Sequence, residues 1–300
     1  MMEIYMDGLT KNYGKIMALD SINLKIEGHG CTGLLGPNGA GKTTMLKLAT
    51  NIIKPSKGKV ELNKVNVALY PEKALGSVGA LIEQPEFYSY LTGYEILEFT
   101  AKIKGLSKDD FSGEVRRLGE LTGINNFMER KTGDYSRGMK QRLALSVAML
   151  GSPDVIILDE PTFGLDPKGM VEIRNIIKSL AKEHLVLLST HLIYEARELC
   201  DRTIIINKGR IEYDSALSPE RDLLKITAEN KINIISDKIK DYSQDKNVFI
   251  IEKNKNVSNS EIIAELMKEG LKINYVEKYD NLEDIYVSVI NGKTKDSISS

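Results

Sequence analysis

Residues 31–49 read CTGLLGPNGAGKTTMLKLA. Apolar residues lead up to Gly36. Gly36, Gly39 and Gly41 then make a tight turn, and Lys42, Thr43 and Thr44 open a stretch with helical spacing, KTTMLKLATNII. A helix start leaves backbone N–H groups unpaired and carries a partial positive charge, so it attracts anions. Glycines let further N–H groups curl around the anion without side-chain clash. G-x-x-x-x-G-K-[ST] between a strand and a helix reads as a phosphate loop. It would place the Lys42 ammonium on β- and γ-phosphates and the Thr43 hydroxyl on Mg2+, which prefers hard oxygen donors. A flexible glycine turn would explain the glycines but neither the lysine nor the threonine.

The rest of the chain decides whose phosphate this is. With 300 residues, 42% hydrophobic and 28% charged, it has room for two domains and a sizeable core. The net charge of −1 gives no overall attraction to nucleic acid or to an anionic membrane. Cys31 and Cys200 lie in apolar contexts. They make no disulfide framework, fit a reducing compartment and read as buried thiols. The N-terminus MMEIYMDGLTKNYG lacks the apolar stretch of a signal peptide. No apolar run approaches the roughly 18 residues of a membrane helix, so the chain is not expected to cross a membrane by itself.

Strand-like stretches alternate with helical ones up to about residue 215, which predicts a parallel α/β sheet. VIILD and LVLLST read as buried strands, and a helical block at about 90–150 interrupts the alternation. The first domain is placed at 1–218 and a small α/β domain at 222–290. In the second, NVFIIEK and KINYVEK read as strands. SNSEIIAELMKEG reads as a helix with a capping box from Ser258 to Glu261 and a stop at Gly270. LEDIYVSVI carries Leu282, Ile285, Tyr286 and Val289 on one helical face. The tail 291–300 is expected to be disordered.

Further candidates follow from position. Asp159 and Glu160 end a buried apolar strand, where an unpaired carboxylate is costly and a working one is at home. Asp159 would hold Mg2+, and Glu160 would polarise an attacking water as general base. The competing explanation is a pair of solvated loop acids. Gln84 in LIEQPEF could touch both Mg2+ and the water, or be a surface amide. His191 after LVLLST could donate to a γ-phosphate. His29 and His184 read as surface histidines. Tyr13 could stack on adenine or simply pack in a strand. DYSRGMKQR, residues 134–142, places Ser136 and Gly138 at the mouth of an apolar helix, another anion-seeking arrangement.

Tyr13, GPNGAGKTT, Gln84, YSRGMKQR, VIILDEP, FGLDP and STH occur in the order of a known family. Over residues 2 to about 215 the chain resembles the nucleotide-binding subunit of an ABC transporter. GMKQRL and the appended C-terminal domain are most similar to the bacitracin- and lantibiotic-resistance branch. The resemblance implies a P-loop NTPase fold with a helical signature subdomain, and ATP hydrolysis with Mg2+. It implies ATP held by Tyr13 and by Gly36, Pro37, Asn38, Gly39, Ala40, Gly41, Lys42, Thr43 and Thr44. Thr43, Gln84 and Asp159 would hold the metal, and Glu160, His191, Gln84 and Lys42 would serve catalysis. Ser136, Arg137, Gly138 and Met139 would cap the γ-phosphate of ATP on a second, identical chain, with Asp166 at the dimer contact. The implied partner is a separate membrane permease on the inner face of the membrane, with no nucleic acid. Peptide antibiotics or similar amphipathic compounds would be the cargo.

The motifs depart from the family's pattern. Tyr135 replaces a leucine, Arg137 the first glycine, Met139 the glutamine of the signature, and Phe163 a small residue. Five aromatics after Gln84 (Phe87, Tyr88, Tyr90, Tyr94 and Phe99) would form either a groove for a permease helix or the core of the helical block. The competing readings are a non-transport ABC ATPase in translation or DNA maintenance, and a small-molecule kinase. The first usually has two cassettes or long coiled-coil insertions, and the second does not explain YSRGMKQR or FGLDP.

Overall fold

A computed structural model gives the architecture and describes residues 2–217, 223–232, 234, 236–254, 257–279 and 281–292. In chain order the first elements are β1 (Glu3–Tyr13), β2 (Ile16–Glu27), β3 (Gly30–Leu35), α1 (Lys42–Ala49), β4 (Lys57–Leu62), β5 (Val65–Asn66), α2 (Pro71–Leu75) and β6 (Val78–Leu81). Three helices follow, α3 (Gly93–Ile103), α4 (Lys108–Thr122) and α5 (Arg137–Met149). Then come β7 (Val155–Asp159), α6 (Pro167–Leu180), β8 (Leu185–Thr190), α7 (Ile193–Leu199), β9 (Arg202–Asn207) and β10 (Arg210–Asp214). The remainder is β11 (Leu223–Ala228), β12 (Ile239–Asp245), β13 (Val248–Lys253), α8 (Asn259–Lys268), β14 (Ile273–Tyr279) and α9 (Leu282–Ile290).

The central sheet has the order β10-β9-β3-β8-β7-β6, parallel except for β10 at its edge. Its middle strands are buried on both faces. Val155 and Ile157 of β7 enter one core, while Ile156 and Leu158 enter the other. Leu185 and Leu187 of β8 alternate with Val186 and Leu188 in the same way. This is why VIILD and LVLLST are continuous apolar runs rather than alternating ones.

The expected parallel sheet is accompanied by a second, antiparallel one. β2-β1-β4-β5 form an antiparallel sheet covering one face, through Ile4, Met6, Leu24 and Ile26 among others. Helices α3–α5 pack over the other core, through Leu97, Leu118 and Leu145. Each helix start in this block has its own stop for the backbone. Thr92 and Glu95 form a capping box on α3, Ser107 caps α4, and Ser136 caps α5. The departure at Tyr135 is a core anchor. Its ring meets Phe127 edge-on at 5.1 Å, and its hydroxyl donates to the Phe127 carbonyl at 2.8 Å. Gly93 makes room for it, since a Cβ there would lie 2.5 Å from the Tyr135 hydroxyl.

The chain divides into two compact units, one running to Ala216 and including Val289 and Ile290, the other Leu217–Ser288. In the second, the sheet β12-β13-β11-β14 is entirely antiparallel, and Phe249, Ile251, Ile262 and Leu266 form its core. The capping box at Ser258 and Glu261 is present on α8, and Gly270 adopts φ 93° just beyond its end. The expected boundary between 218 and 222 and all but 291 and 292 of the tail lie outside the described residues. Cys31 is buried, but Cys200 is only half-buried, against expectation, and the two sulfurs are 3.5 Å apart. Hydrogen bonding to Cys200 and burial push the Cys31 thiol pKa well up.

Candidate functional site

The site forms where β3, β7 and β8 end side by side. β3 passes at Leu35 into the glycine turn, and α1 begins at Lys42 after Gly41, whose φ is 111°. No side chain caps α1, in contrast to α3, α4 and α5, so the first N–H groups of α1 have no side-chain acceptor. Gly36 must be glycine for another reason. A Cβ there would lie 2.4 Å from the Ile206 carbonyl.

Lys42 is buried, with its Nζ donating to the carbonyls of Gly36 at 2.7 Å and Pro37 at 3.2 Å. Burial pushes its pKa down, and the charges of Glu160 and Asp159 oppose that shift. Asp159 is the last, buried residue of β7, and its Oδ1 accepts from the Ser189 hydroxyl at 2.5 Å. Glu160 sits one residue beyond, at φ 44°, with its N–H on the Ser189 hydroxyl at 3.1 Å. That left-handed turn swings its carboxylate between two partners, Lys42 Nζ at 3.5 Å and His191 Nδ1 at 3.0 Å. Lys42, Glu160 and His191, taken from three separate stretches of sequence, thus meet in one cluster. Thr43, Gln84, Asp159, Glu160, Arg137 and Phe163 line one cavity of about 500 Å³.

Other candidates lie at the periphery. The Tyr13 ring is 47% exposed, with the Lys11 ammonium 5.0 Å from its centre, so it is not strand packing. Ser136 accepts from the Met139 N–H at 3.3 Å, and a Cβ on Gly138 would meet nothing within 4 Å, so this helix start presents an open face. Asp166 caps α6 by accepting from the Gly169 N–H at 2.8 Å. His29 is exposed, whereas His184 is half-buried and tied through Nδ1 to the Pro153 carbonyl at 2.7 Å, which corrects its surface reading. The aromatic cluster splits: Phe87 and Tyr94 pack against the core, while Tyr88, Tyr90 and Phe99 are exposed.

Sequence reasoning passed over Ser189, Glu195 and Gln141. Glu195 is 1% exposed, and its two carboxylate oxygens accept from Thr162 and Thr190, each at 2.5 Å. It thereby ties the turn after Glu160 to the strand end before His191. Gln141 Nε2 donates to the Pro161 carbonyl at 2.6 Å and links α5 to the same turn. A signal for Glu195 was available. It shares the buried face of α7 with Ala196 and Leu199, where an acid is out of place without a task.

Residues 19–163 match the model of the family described as ABC transporter. The chain is 35% identical, over 95% of its length and 94% of the other, to an uncharacterised ABC transporter ATP-binding protein, YdbJ of Bacillus subtilis. The chain belongs to the family of ABC transporter ATP-binding subunits. It is equally 35% identical to the bacitracin transport ATP-binding protein BcrA of Bacillus licheniformis, over 95% of this chain and 96% of that one. Among solved structures it is similar to the ATP-binding cassette MJ0796, a dimer in a post-hydrolysis state bound to ADP and Pi. The TM-score is 0.65 at 26% identity, over 72% of this chain and all of the other. The P-loop NTPase fold, ATP binding and ATP hydrolysis are therefore properties of this cassette. Cassettes of this kind are dimeric in the solved structures and act with membrane permease subunits. No helix among the described residues is long and apolar enough to cross a membrane.

Proposed function

We propose that this cassette powers export of a peptide antibiotic of the bacitracin kind, or a similar amphipathic compound, through a separate permease. ATP would be hydrolysed at sites shared between two copies of the chain on the inner face of the membrane. The observation that carries the chemistry is Glu160, placed between Lys42 and His191 at the mouth of the phosphate loop. Glu160 takes the proton of the attacking water, and Lys42 holds the β- and γ-phosphates. His191 hydrogen-bonds the γ-phosphate, and Tyr13 offers its exposed ring to adenine.

The donor set suits Mg2+: a Thr43 hydroxyl, an Asp159 carboxylate oxygen and a Gln84 amide oxygen line one cavity, all hard donors. The ion would neutralise charge on the phosphates. The export reading leans on the similarity to BcrA over nearly the whole of both chains, C-terminal unit included. Exposed Tyr88, Tyr90 and Phe99 on the helical block are the proposed seat for a permease helix.

The open face at Ser136 and Gly138 supports their action on the neighbour's ATP. ATP would then hold two chains together and shift the monomer–dimer balance by mass action. Glu160→Gln is expected to keep ATP binding, to slow hydrolysis about 10²–10⁴-fold, and to sediment as a dimer with ATP and Mg2+ but as a monomer with ADP. Adding Ser136→Glu should abolish that dimer while monomer affinity for ATP stays nearly unchanged. A monomer at saturating ATP, or loss of ATP binding on Ser136→Glu, would sink the shared-site reading.

A further inference from the structure

Arg137 and Phe163 are the two positions where the signature and the turn after Glu160 depart from the family's small residues, and they touch each other. The Arg137 guanidinium lies 5.4 Å from the centre of the Phe163 ring, within cation–π range. It is seated against backbone as well. A Cβ on Gly164 would fall 2.2–2.5 Å from three of its atoms, so no side chain fits there, and Gly164 at φ 71° needs none. The Phe163 ring also meets His191, edge-on with centres 6.1 Å apart. His191 in turn holds Glu160.

The ring itself is 53% exposed and belongs to no core cluster, so filling the interior is not its task. Its backbone is nonetheless fixed. The Phe163 N–H bonds the Glu160 carbonyl at 3.0 Å, and the neighbouring Thr162 is held by buried Glu195.

We propose that Phe163 is a positioning residue for hydrolysis. Its ring orients the His191 imidazole against Glu160, and Arg137 of the same chain clamps the ring. The start of α5 and the catalytic imidazole are then set by one contact. Displacing the signature helix releases the ring and, with it, the preferred orientation of His191. This rests on the assignment of Glu160 and His191 to hydrolysis.

The test uses single-turnover ATP hydrolysis and nucleotide titration on the full chain. Phe163→Leu keeps bulk but loses the aromatic face and edge. Its rate is expected to fall about three- to tenfold with ATP affinity unchanged, and Phe163→Tyr should restore it. In a His191→Ala background Phe163→Leu should cost nothing further, and Arg137→Met should move the His191 ring resonance of the nucleotide-free wild-type chain but not of the Phe163→Leu chain. The chain has three histidines, so the His191 ring resonance can be assigned by substitution. It should move in Phe163→Leu and stay in Phe163→Tyr. In the Glu160→Gln background Phe163→Leu should still dimerise with ATP, which separates a lost orientation from a lost sandwich. If Phe163→Leu hydrolyses at the wild-type rate while His191→Ala does not, the relay is overturned and the hydrolysis assignment stands. If the Phe163→Leu loss persists in full without His191, the ring acts elsewhere and the relay is overturned. If His191→Ala itself is unimpaired, the assignment of His191 falls and the relay falls with it.

Discussion

Glu195 shows how one side chain outside the reacting atoms can decide where they sit. Its carboxylate is buried and fully engaged by two hydroxyls, Thr162 beyond Glu160 and Thr190 before His191. Removing it leaves two buried donors without an acceptor, at about 1–3 kcal/mol for each group stranded. Glu195→Ala is therefore expected to lower the urea midpoint and to slow hydrolysis, whereas Glu195→Gln, which keeps an acceptor oxygen, should do less of both. Equal stability of the alanine variant and the wild type in urea titrations would refute this. At this scale the sequence was readable wherever chemistry is written as a short local pattern. GPNGAGKTT states its own geometry, and Asp159 and Glu160 declare themselves at the end of an apolar strand. What could not be read was pairing at a distance. Nothing local says that Phe163 will lie against residues 137 and 191, or that Glu195 will reach back to Thr162.

Between elements, the junction of α4 and α5 is held by charge rather than by apolar packing alone. Glu114 accepts from Arg117 and from the Gly151 N–H at 2.7 Å, while Arg117 also donates to the Met149 carbonyl at 2.8 Å. Burial pushes the Glu114 carboxyl pKa up, but the bonds from Arg117 and Gly151 outweigh it and hold the carboxyl below its usual range. A group depressed on folding stabilises above its unfolded pKa and ceases to do so as pH falls through the folded value. Glu114→Gln should thus cost about 1–2 kcal/mol at neutral pH, and the gap to wild type should close on acidification below the ordinary carboxylate range. Denaturant curves at the two pH values check it.

The elements themselves were unevenly legible. β7, β8, α3–α5 and α8 have long periodic or capped sequences. β12, IKDYSQD, lies at a sheet edge with mostly exposed side chains and so lacks an apolar period. β4 was hidden differently. KGKVEL finds its partner in β1, some fifty residues earlier, and only that pairing makes it part of an antiparallel sheet.

For the molecule as a whole, each proposed nucleotide contact falls in the first unit. A chain ending at Ala216 is expected to bind ATP within about twofold of the full chain, since no phosphate-facing group is removed. It should melt earlier, because Asn207 at the end of β9 loses the Val289 carbonyl it bonds at 3.3 Å. A truncated chain with a native circular dichroism spectrum but no ATP affinity would place part of the site beyond Ala216.

The thiol pair gives this molecule an internal clock. Cys31 lies in the middle strand β3 with a raised pKa, and Cys200 is only half-buried 3.5 Å away. A small alkylating reagent meets Cys200 in the folded state and Cys31 only when β3 comes free of its neighbours, because reaction follows thiolate character and access. The chain has no other cysteine, so the second equivalent consumed in an unmutated sample marks opening of the central sheet, and its rate measures how often the sheet opens.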